Sequence, residues 1–241
     1  MKKLITLSII LLAVLAGAYY LSSYLAPRAE LNALGEFYLR NSYFGEHSAG
    51  SPEVVTAILW DYRGLDTYFE TAVLFMAIIS AVSIFRNMPS VSFHPRGFTN
   101  ITKTGVKIVG LITFVAAATT AFHGHITPGG GFQGGATIAG AGILFLVAFG
   151  IKAAKEKINK NLYSALEGVG GLIFLGAAML GLSVAFFYNT LWHNGPLFNG
   201  KPGTLLSAGF LPIMNLGVGL KVFTGLVSAV FMLSLFRRWK E

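Results

Sequence analysis

Five ionisable side chains lie within or beside long apolar runs of the sequence, and their chemistry stands out. They are Glu70, His123, His125, Glu167 and Lys221. An ionisable group inside a membrane is costly, and by default it indicates a role in moving protons or cations. Lys221 is the sharpest case because it lies near the middle of the last apolar run. Small residues share its helical stripe (Gly217, Gly225 and Ala229), so a neighbouring helix can approach closely. We predict that Lys221 lines an ion path or pairs with a carboxylate from that helix.

The two glutamates have a second interpretation. Segments 67–70 (TYFE) and 164–167 (SALE) both fit the spacing of a capping box, in which the glutamate bonds back to the start of its helix. A helix cap and a cation or proton site therefore both remain open for Glu70 and Glu167.

The two histidines are poor metal ligands. Residues two apart on a helix point to different faces, and no thiolate or carboxylate lies nearby to complete a ligand set. We predict no metal at His123 and His125, and leave open a proton relay and a structural hydrogen-bonding role. The chain has no cysteine, so any iron–sulfur cluster and any redox chemistry belong to partner subunits. No nucleophile–base set appears, so we predict no catalytic residues, no cofactor in this chain and no enzyme activity of its own.

Residues 123–135 (HGHITPGGGFQGG) interrupt the apolar sequence with glycines. The stretch formally satisfies the G-x-G-x-x-G dinucleotide fingerprint, but that motif requires a preceding strand, and here an apolar helical run precedes it. We predict a packing or ion-path turn, with Pro128 ending the preceding helix. The flanking runs 108–122 and 136–151 would rise only about 23 Å as helices, short of the hydrocarbon thickness. The turn is therefore expected to lie partly at membrane depth, enclosed by protein.

Composition indicates a membrane protein. The chain has 241 residues, of which 54% are hydrophobic and only 12% are charged. Its apolar runs predict an all-α, polytopic fold with about six transmembrane helices; the runs are 4–25, 71–85, 108–122, 136–151, 168–192 and 204–236. A cleaved signal peptide is the alternative for the first run, although that run is long for one.

Basic residues fall in alternate loops. Most lysines and arginines follow the even-numbered runs or flank the termini, so the positive-inside rule places both termini in the cytoplasm. The net charge of +8 is spread over these loops and forms no single basic face, which argues against a nucleic-acid partner. We predict a multi-pass protein of the cell membrane.

The chain divides into two predicted modules. Residues 1–100 hold two crossings and an outer polar segment, in which Ser51-Pro52-Glu53 starts a short buried helix that ends near Gly64. A basic linker at 87–97 then leads to residues 101–241, with four crossings.

Within the second module, residues 124–135 resemble the Gly-His-x-x-Pro-Gly-Gly-Gly-Phe-x-Gly-Gly signature of the MrpB (MnhB) family, a membrane subunit of multisubunit sodium/proton antiporters. The segments GPLF and 217–222 (GVGLKV) are similar as well. The resemblance covers roughly residues 101–241. It assigns a structural motif to Pro128, Gly129, Gly130, Gly131, Phe132, Gly134 and Gly135.

Residues 57–70 (AILWDYRGLDTYFE) resemble the Asp-Phe-Arg-Gly-Phe-Asp-Thr-x-Gly-Glu motif in the C-terminal part of the large MrpA subunit. The matching motif residues are Asp61, Arg63, Gly64, Asp66, Thr67 and Glu70. Tyr62, Leu65 and Phe69 depart from the pattern, and Phe69 leaves less room beside Glu70 than the family glycine does.

Together the resemblances imply a fusion of an MrpA-like module with an MrpB-like subunit, as in archaeal membrane-bound hydrogenases and sulfur reductases. The expected function is that of a non-catalytic subunit of an ion-translocating respiratory complex that moves sodium ions and protons. Its expected partners are the lipid bilayer, other Mrp-like membrane subunits and a hydrogenase-like or sulfur-reductase-like redox arm that carries the iron–sulfur clusters. A stand-alone Mrp antiporter subunit and a purely structural scaffold are the alternatives.

Overall fold

The structure, a computed structural model, describes residues 2–24, 31–86, 98–157, 160–193, 195 and 197–235. These residues form helices and turns, with no β-strand among them, which confirms the all-α prediction. The helices are α1 (Lys2–Tyr24), α2 (Ala33–Tyr43), α3 (Val54–Ala57), a π-helical turn (Ile58–Tyr62), α4 (Gly64–Arg86), α5 (Asn100–Phe122), α6 (Gly131–Lys157), α7 (Lys160–Met179), α8 (Thr190–His193) and α9 (Leu211–Leu235). The predicted linker at 87–97 lies outside the described residues.

Five of the described helices are long and apolar enough to cross a membrane. Their spans are Gly64–Ile84, Asn100–Phe122, Gly131–Ile151, Asn161–Met179 and Leu211–Ser234. Helix α1 adds a shorter described apolar stretch, Thr6–Ser22. The chain is therefore a multi-pass membrane protein, while the cytoplasmic placement of both termini stays a prediction.

Several helices extend beyond the apolar runs that predicted them. Helix α5 has 23 residues and rises about 34 Å, and the part of α6 before the backbone break at Gly150 (131–149) has 19 residues and rises about 28 Å. Both are of membrane-spanning length, so the inference that both were too short for the bilayer is wrong. The reason is that threonines, lysines and glycines join these helices at their ends. The fifth crossing was also misplaced. Helix α7 begins at Lys160 and ends at Met179, where turns replace the predicted continuation to Trp192.

Residues 1–37 and residues 38–241 form separate compact units. The first unit holds α1, whose described apolar side chains from Leu7 to Leu21 are exposed. The second unit is a helical bundle in which α9 is central, because it packs against α4, α5, α6 and α7. Its core contains Trp60, Phe174, Phe187, Phe210, Leu211, Met214, Val218 and Val222.

The segment before α4 begins as predicted. The Glu53 side chain caps α3 by accepting a hydrogen bond from the Thr56 N–H. The helix then continues as the π turn, which ends at Tyr62 with Arg63 as its C-cap, close to the predicted Gly64. Trp60 and Ala57 are buried, but Val55 and Leu59 face outward, so this helix buries one face only.

Candidate functional site

Lys221 is paired with Glu167 across two membrane-spanning helices. The Lys221 Nζ donates a hydrogen bond of 2.6 Å to Glu167 Oε1, joining α9 to α7. Its ammonium also lies 5.4 Å from the centroid of the Phe75 ring on α4. Lys221 is about 15 Å along α9 from Leu211, well inside the span. A neighbouring helix thus supplies the carboxylate, one of the two arrangements the sequence indicated.

A glycine on α7 allows this close approach. A Cβ at Gly170 would lie 2.9 Å from the carbonyl oxygen of Gly217 and 3.0 Å from the backbone nitrogen of Lys221. Only glycine therefore fits there without movement of one of the two helices. This chain alone does not bury the pair completely. The Lys221 side chain is 15% exposed and that of Glu167 is 33% exposed. Within a bilayer, such exposure calls for cover by a partner subunit or by water in a cavity.

The capping-box interpretation is wrong for both glutamates. Helix α4 begins at Gly64 and α7 is described from Lys160, so Thr67 and Ser164 lie inside their helices and are not N-caps. Thr67 is buried, and its carbonyl accepts a hydrogen bond of 2.7 Å from the Thr71 hydroxyl. Glu70 is exposed on α4, and among the described residues the carboxylate paired with Lys221 is that of Glu167. The structure therefore does not bring Glu70 to the Glu167–Lys221 pair.

The glycine-rich turn is built around Asn215 of α9. Asn215 Oδ1 accepts hydrogen bonds from Trp60 Nε1, at 2.9 Å, and from the Gly131 N–H, at 3.2 Å. Gly129 and Gly130 have φ of 154° and 139°, which glycine adopts readily. Gly131 begins α6, and a Cβ there would lie 2.8 Å from the Asn215 carbonyl carbon. Helix α9 and the segment before α4 pack on one side of the turn and bury Gly130 and Gly131, whereas Thr127 and Pro128 are exposed, so its placement at membrane depth stays a prediction.

The rest of the motif belongs to α6. Phe132, Gly134 and Gly135 are helical, and a Cβ at Gly134 would meet the backbone of α5 at Ala117. Helix α5 precedes the motif where a dinucleotide fold would have a strand, so the fingerprint match is incidental. Pro128 does not end α5, contrary to the prediction. That helix ends at Phe122, where the His123 N–H donates to the Thr119 carbonyl at 2.9 Å.

Both histidines lie beyond the end of α5. The His123 Nδ1 is 3.1 Å from the Thr119 carbonyl oxygen, beside the helix end. His125 is fully buried, with Nε2 3.2 Å from the Thr204 carbonyl oxygen. Burial lowers the pKa of His125, and the hydrogen bond to Thr204 opposes that shift. Its Nδ1 has no partner among the described residues. No group of three or more His, Cys, Asp or Glu side chains in the described part of the chain is placed to hold a metal ion.

Buried hydroxyls connect the two predicted modules at this turn. Ser51 Oγ donates to the His125 carbonyl at 2.6 Å, and Thr56 Oγ1 donates to the Gly124 carbonyl at 2.5 Å. These bonds satisfy backbone carbonyls that the glycine-rich turn would otherwise leave unpaired. Ser51 and Thr56 of the first module therefore contact the turn.

The motif residues of the first module lie at the start of α4. Arg63 and Asp66 form an exposed ion pair of 2.5 Å. Gly64 lies against Phe187, whose ring a Cβ would approach to 2.9 Å. Asp61 belongs to the π turn, and burial raises its pKa from 3.8 to about 7. A carboxyl group with this pKa exchanges its proton near neutral pH.

Three contributors to the site were missed or underestimated from the sequence. Asn215, Trp60 and Thr56 were not identified as site residues from the sequence. The available signal was the amide itself, because a buried asparagine in an apolar helix needs hydrogen-bond partners. The groups that bond to this amide lie more than 80 residues away along the chain. Hydrophobic periodicity reports only local structure and cannot identify partners at that separation.

Taken together, the fold and this site define a multi-pass membrane protein whose helical bundle holds an interhelical ion pair and a glycine-rich turn. Residues 101–228 match a family described as a domain related to the MnhB subunit of the Na+/H+ antiporter. The match covers more than half of the chain, and the chain belongs to the MnhB family. The predicted resemblance to that family is confirmed.

Similar proteins come from archaea and bacteria. An uncharacterized protein of Methanocaldococcus jannaschii, MJ1307, is 34% identical over 203 residues, covering 76% of this chain and 77% of the relative. The B component of the Na+/H+ antiporter of Bacillus subtilis is 30% identical over 96 residues, covering 36% of this chain and 66% of that component.

Two solved structures share the fold. A chain of the membrane-bound sulfane sulfur reductase, an archaeal respiratory membrane complex, superposes with a TM-score of 0.75 at 28% identity, covering 95% of this chain and 98% of that one. A chain of the Mrp complex from Dietzia sp. DQ12-45-1b has a TM-score of 0.69 at 21% identity, and this chain in full covers 26% of it.

Proposed function

We propose that this chain is a non-catalytic membrane subunit of an ion-translocating respiratory complex of the sulfane sulfur reductase type. The observation that carries the proposal is the Glu167–Lys221 pair, which places two opposite charges 2.6 Å apart within membrane-spanning helices. A bundle that served only as a scaffold gains little from such a pair, since apolar side chains of similar volume are often equally stable. Paired ionisable groups within membrane-spanning helices are typical of ion and proton pathways.

The likeness to the reductase chain supports the choice of complex. It extends over nearly the full length of both chains at 28% identity, whereas the likeness to the Mrp complex chain, at 21% identity, covers 26% of that longer chain. The expected partners are other Mrp-like membrane subunits and a redox arm that holds the iron–sulfur clusters. Sodium ions and protons are the proposed cargo, and this chain itself holds no cofactor.

The proposed ion path passes Lys221 and Glu167, whose exposed surfaces lie on the bundle where a partner subunit or water must cover them. Glu70 joins the proposed path only through a partner subunit. Its carboxylate is exposed on α4 and needs a polar neighbour within the membrane, which a partner subunit would supply. His123 and His125 lie outside the spans, at the end of the bundle that holds the glycine-rich turn. We assign His125 a structural role and retain His123 as the proton-relay candidate.

The MrpA-like origin of residues 1–100 also stays a proposal. Residues 101–228 match the MnhB family, while the first module carries the Asp61, Arg63, Gly64 and Asp66 motif at the start of α4. The whole chain corresponds to about a quarter of one longer chain of the Mrp complex. This supports the proposal that the two modules of this chain also occur within one polypeptide elsewhere.

A stand-alone Mrp antiporter subunit is the second candidate, favoured by the likeness to the Na+/H+ antiporter component of Bacillus subtilis. Purification through a tag on this chain separates the two. We expect the mild-detergent complex to contain iron–sulfur proteins and to reduce polysulfide or evolve hydrogen. A complex with a full-length large antiporter subunit and no redox protein would favour the antiporter instead. Recovery of the chain alone would overturn both.

A further inference from the structure

A groove of about 410 Å³ lies between the membrane-spanning helices α5 and α6. We call it the α5–α6 groove. Its walls include Gly110 and Phe114 of α5 and Ile138 and Phe145 of α6, and α7 and α9 each contribute one aromatic ring. The volume is typical of sites that bind small ligands. The groove is separate from the interhelical ion pair and from the glycine-rich turn, none of whose residues line it.

The apolar part of the groove is open at the surface of the bundle. A Cβ at Gly110 would overlap the Phe145 ring, so this glycine lets the ring lie directly on α5. Beside it, Leu111 and Phe114 line the groove and are exposed, and both belong to the span Asn100–Phe122. An empty apolar groove loses packing contacts along its walls. At membrane depth, a hydrocarbon chain or the side chains of a neighbouring helix fill such a space.

Two lysines of α5 lie at one end of the groove. Lys107 lines it, and Lys103 lies one helical turn earlier. Their Nζ atoms are 5.7 and 6.0 Å, respectively, from the centroid of one ring, that of Phe149 on α6. Neither ammonium group forms an ion pair with a carboxylate in the described part of the chain. Because like charges four residues apart on a helix repel each other, this arrangement favours an anion beside both lysines.

The two lysines lie at the depth of lipid headgroups. Lys103 and Lys107 are about 4 and 10 Å along α5 from its first residue, Asn100, whereas Phe114 is about 21 Å along it. A phosphate at the lysines therefore places its hydrocarbon chains beside the apolar part of the groove. Residues 152–160, which lead from α6 into α7 at the same end of the bundle, add four lysines and one glutamate. The distribution of basic residues predicts that this end is cytoplasmic, where anionic lipids attract basic clusters.

We propose that the α5–α6 groove binds an anionic phospholipid, with its phosphate beside the Lys103 and Lys107 ammonium groups and one hydrocarbon chain along the groove. Charge complementarity selects this occupant, because the two unpaired ammonium groups match the headgroup and the apolar walls match the chain. An apolar helix of a partner subunit would fill the groove but leave both charges without a counter-ion. The proposal goes beyond the proposed function and does not depend on it, since an antiporter subunit or a scaffold would bind the lipid equally.

Photocrosslinking tests this site in the complete complex. The purified complex is reconstituted into phosphatidylcholine liposomes that contain a small fraction of a phosphatidylglycerol or phosphatidylcholine probe, with a diazirine and an alkyne in one chain. Crosslinked peptides of this chain are enriched and quantified by mass spectrometry. We expect the phosphatidylglycerol probe to label the groove-lining peptides of α5 and α6 about 25-fold more than the phosphatidylcholine probe, about fivefold for each lysine.

The variants separate the headgroup contact from the chain contact. Lys107→Gln should reduce the preference for phosphatidylglycerol about fivefold, and Lys103→Gln with Lys107→Gln should abolish it, because glutamine keeps a polar side chain without the charge. Neither lysine is paired in the described part of the chain, so both variants should assemble. Lys201→Gln is the matched control, since it removes an exposed lysine that does not line the groove. Leu111→Trp, which covers the groove from an exposed position, should lower labelling by both probes.

Three results would overturn the proposal: equal labelling by the two probes, a preference for phosphatidylglycerol that survives the double lysine substitution, or no labelling of the groove peptides by either probe. The last result is the one that a partner helix seated in the groove would give. The measurement needs no turnover. Lipid binding can therefore fail while the complex still translocates ions, and ion translocation can fail while the groove still binds its lipid.

Discussion

The Glu167–Lys221 pair gives the sharpest stability prediction. At 2.6 Å the gross Coulombic attraction is about 6 kcal/mol for an effective dielectric constant of about 20, and desolvation of the two groups offsets most of it. Removing one partner of a buried pair costs about 3–5 kcal/mol, because the remaining charge is left unpaired. Glu167 is a third exposed, so we reduce the expected cost to about 2–3 kcal/mol.

The test is a double-mutant cycle. Lys221→Met should destabilise the purified complex by about 2–3 kcal/mol, whereas Glu167→Gln with Lys221→Met should lie within about 1 kcal/mol of wild type, since no charge is then left alone. Glu167→Gln alone should be milder than Lys221→Met, because the amide oxygen still accepts from the ammonium. Stability is measured by denaturant unfolding in detergent, with Lys201→Met as an exposed control outside the helices.

The cycle has a clear failure. If the double variant loses as much stability as the two single variants added together, the coupling energy is zero. The pair would then be an incidental contact between two independently solvated side chains, and the reasoning from low dielectric would be wrong.

Three further predictions concern the glycine-rich turn and the π turn. Gly131→Ala should lower the free energy of unfolding by about 1–3 kcal/mol, because its Cβ would lie 2.8 Å from the Asn215 carbonyl carbon. The control Gly140→Ala, in open space on the same helix, should leave the melting temperature unchanged or higher. Equal effects of the two substitutions would contradict the close approach at Gly131. Trp60→Phe should cost about 0.5–1.5 kcal/mol by removing one of two donors to Asn215, and a melting temperature equal to wild type would show that this bond contributes nothing. Burial raises the Asp61 pKa from 3.8 to about 7, so the folded state holds this proton more tightly than the unfolded state, and the stability that the protonated group contributes is lost as pH rises from about 4 through 7. Asp61→Asn should therefore raise the melting temperature relative to wild type at about pH 8 but not at about pH 4. A difference in melting temperature that does not depend on pH would refute this prediction.

The transmembrane architecture was largely predictable because hydropathy reports the bilayer directly. The positions of α4, α5, α6 and α9 follow from apolar runs, and Glu53 was correctly placed at a helix start. The errors lie at helix ends. Thr99 caps α5 well before its apolar run begins, and Gly131–Gly135 are helical although glycine is a weak helix former. Packing of these glycines against α5 and α9 outweighs their propensity.

Only part of the site was predictable from the sequence. A carboxylate from a neighbouring helix was one of the two expectations for Lys221, and Glu167 supplies it. That same glutamate was also interpreted as a helix cap, because the start of α7 could not be located from local spacing. Asn215 shows the limit most clearly. Its partners Trp60 and Gly131 come from distant segments that meet only when α9 lies at the centre of the bundle.

Turnover-driven ion uptake tests the central claim most directly. The purified complex is reconstituted into sealed liposomes, and uptake of ²²Na⁺ and protons is measured per electron transferred, for wild type and for the double variant with Glu167→Gln and Lys221→Met. We predict that the variant assembles and transfers electrons but takes up only a small fraction of the ions. Uptake per electron equal to that of wild type would contradict an ion path through these two residues.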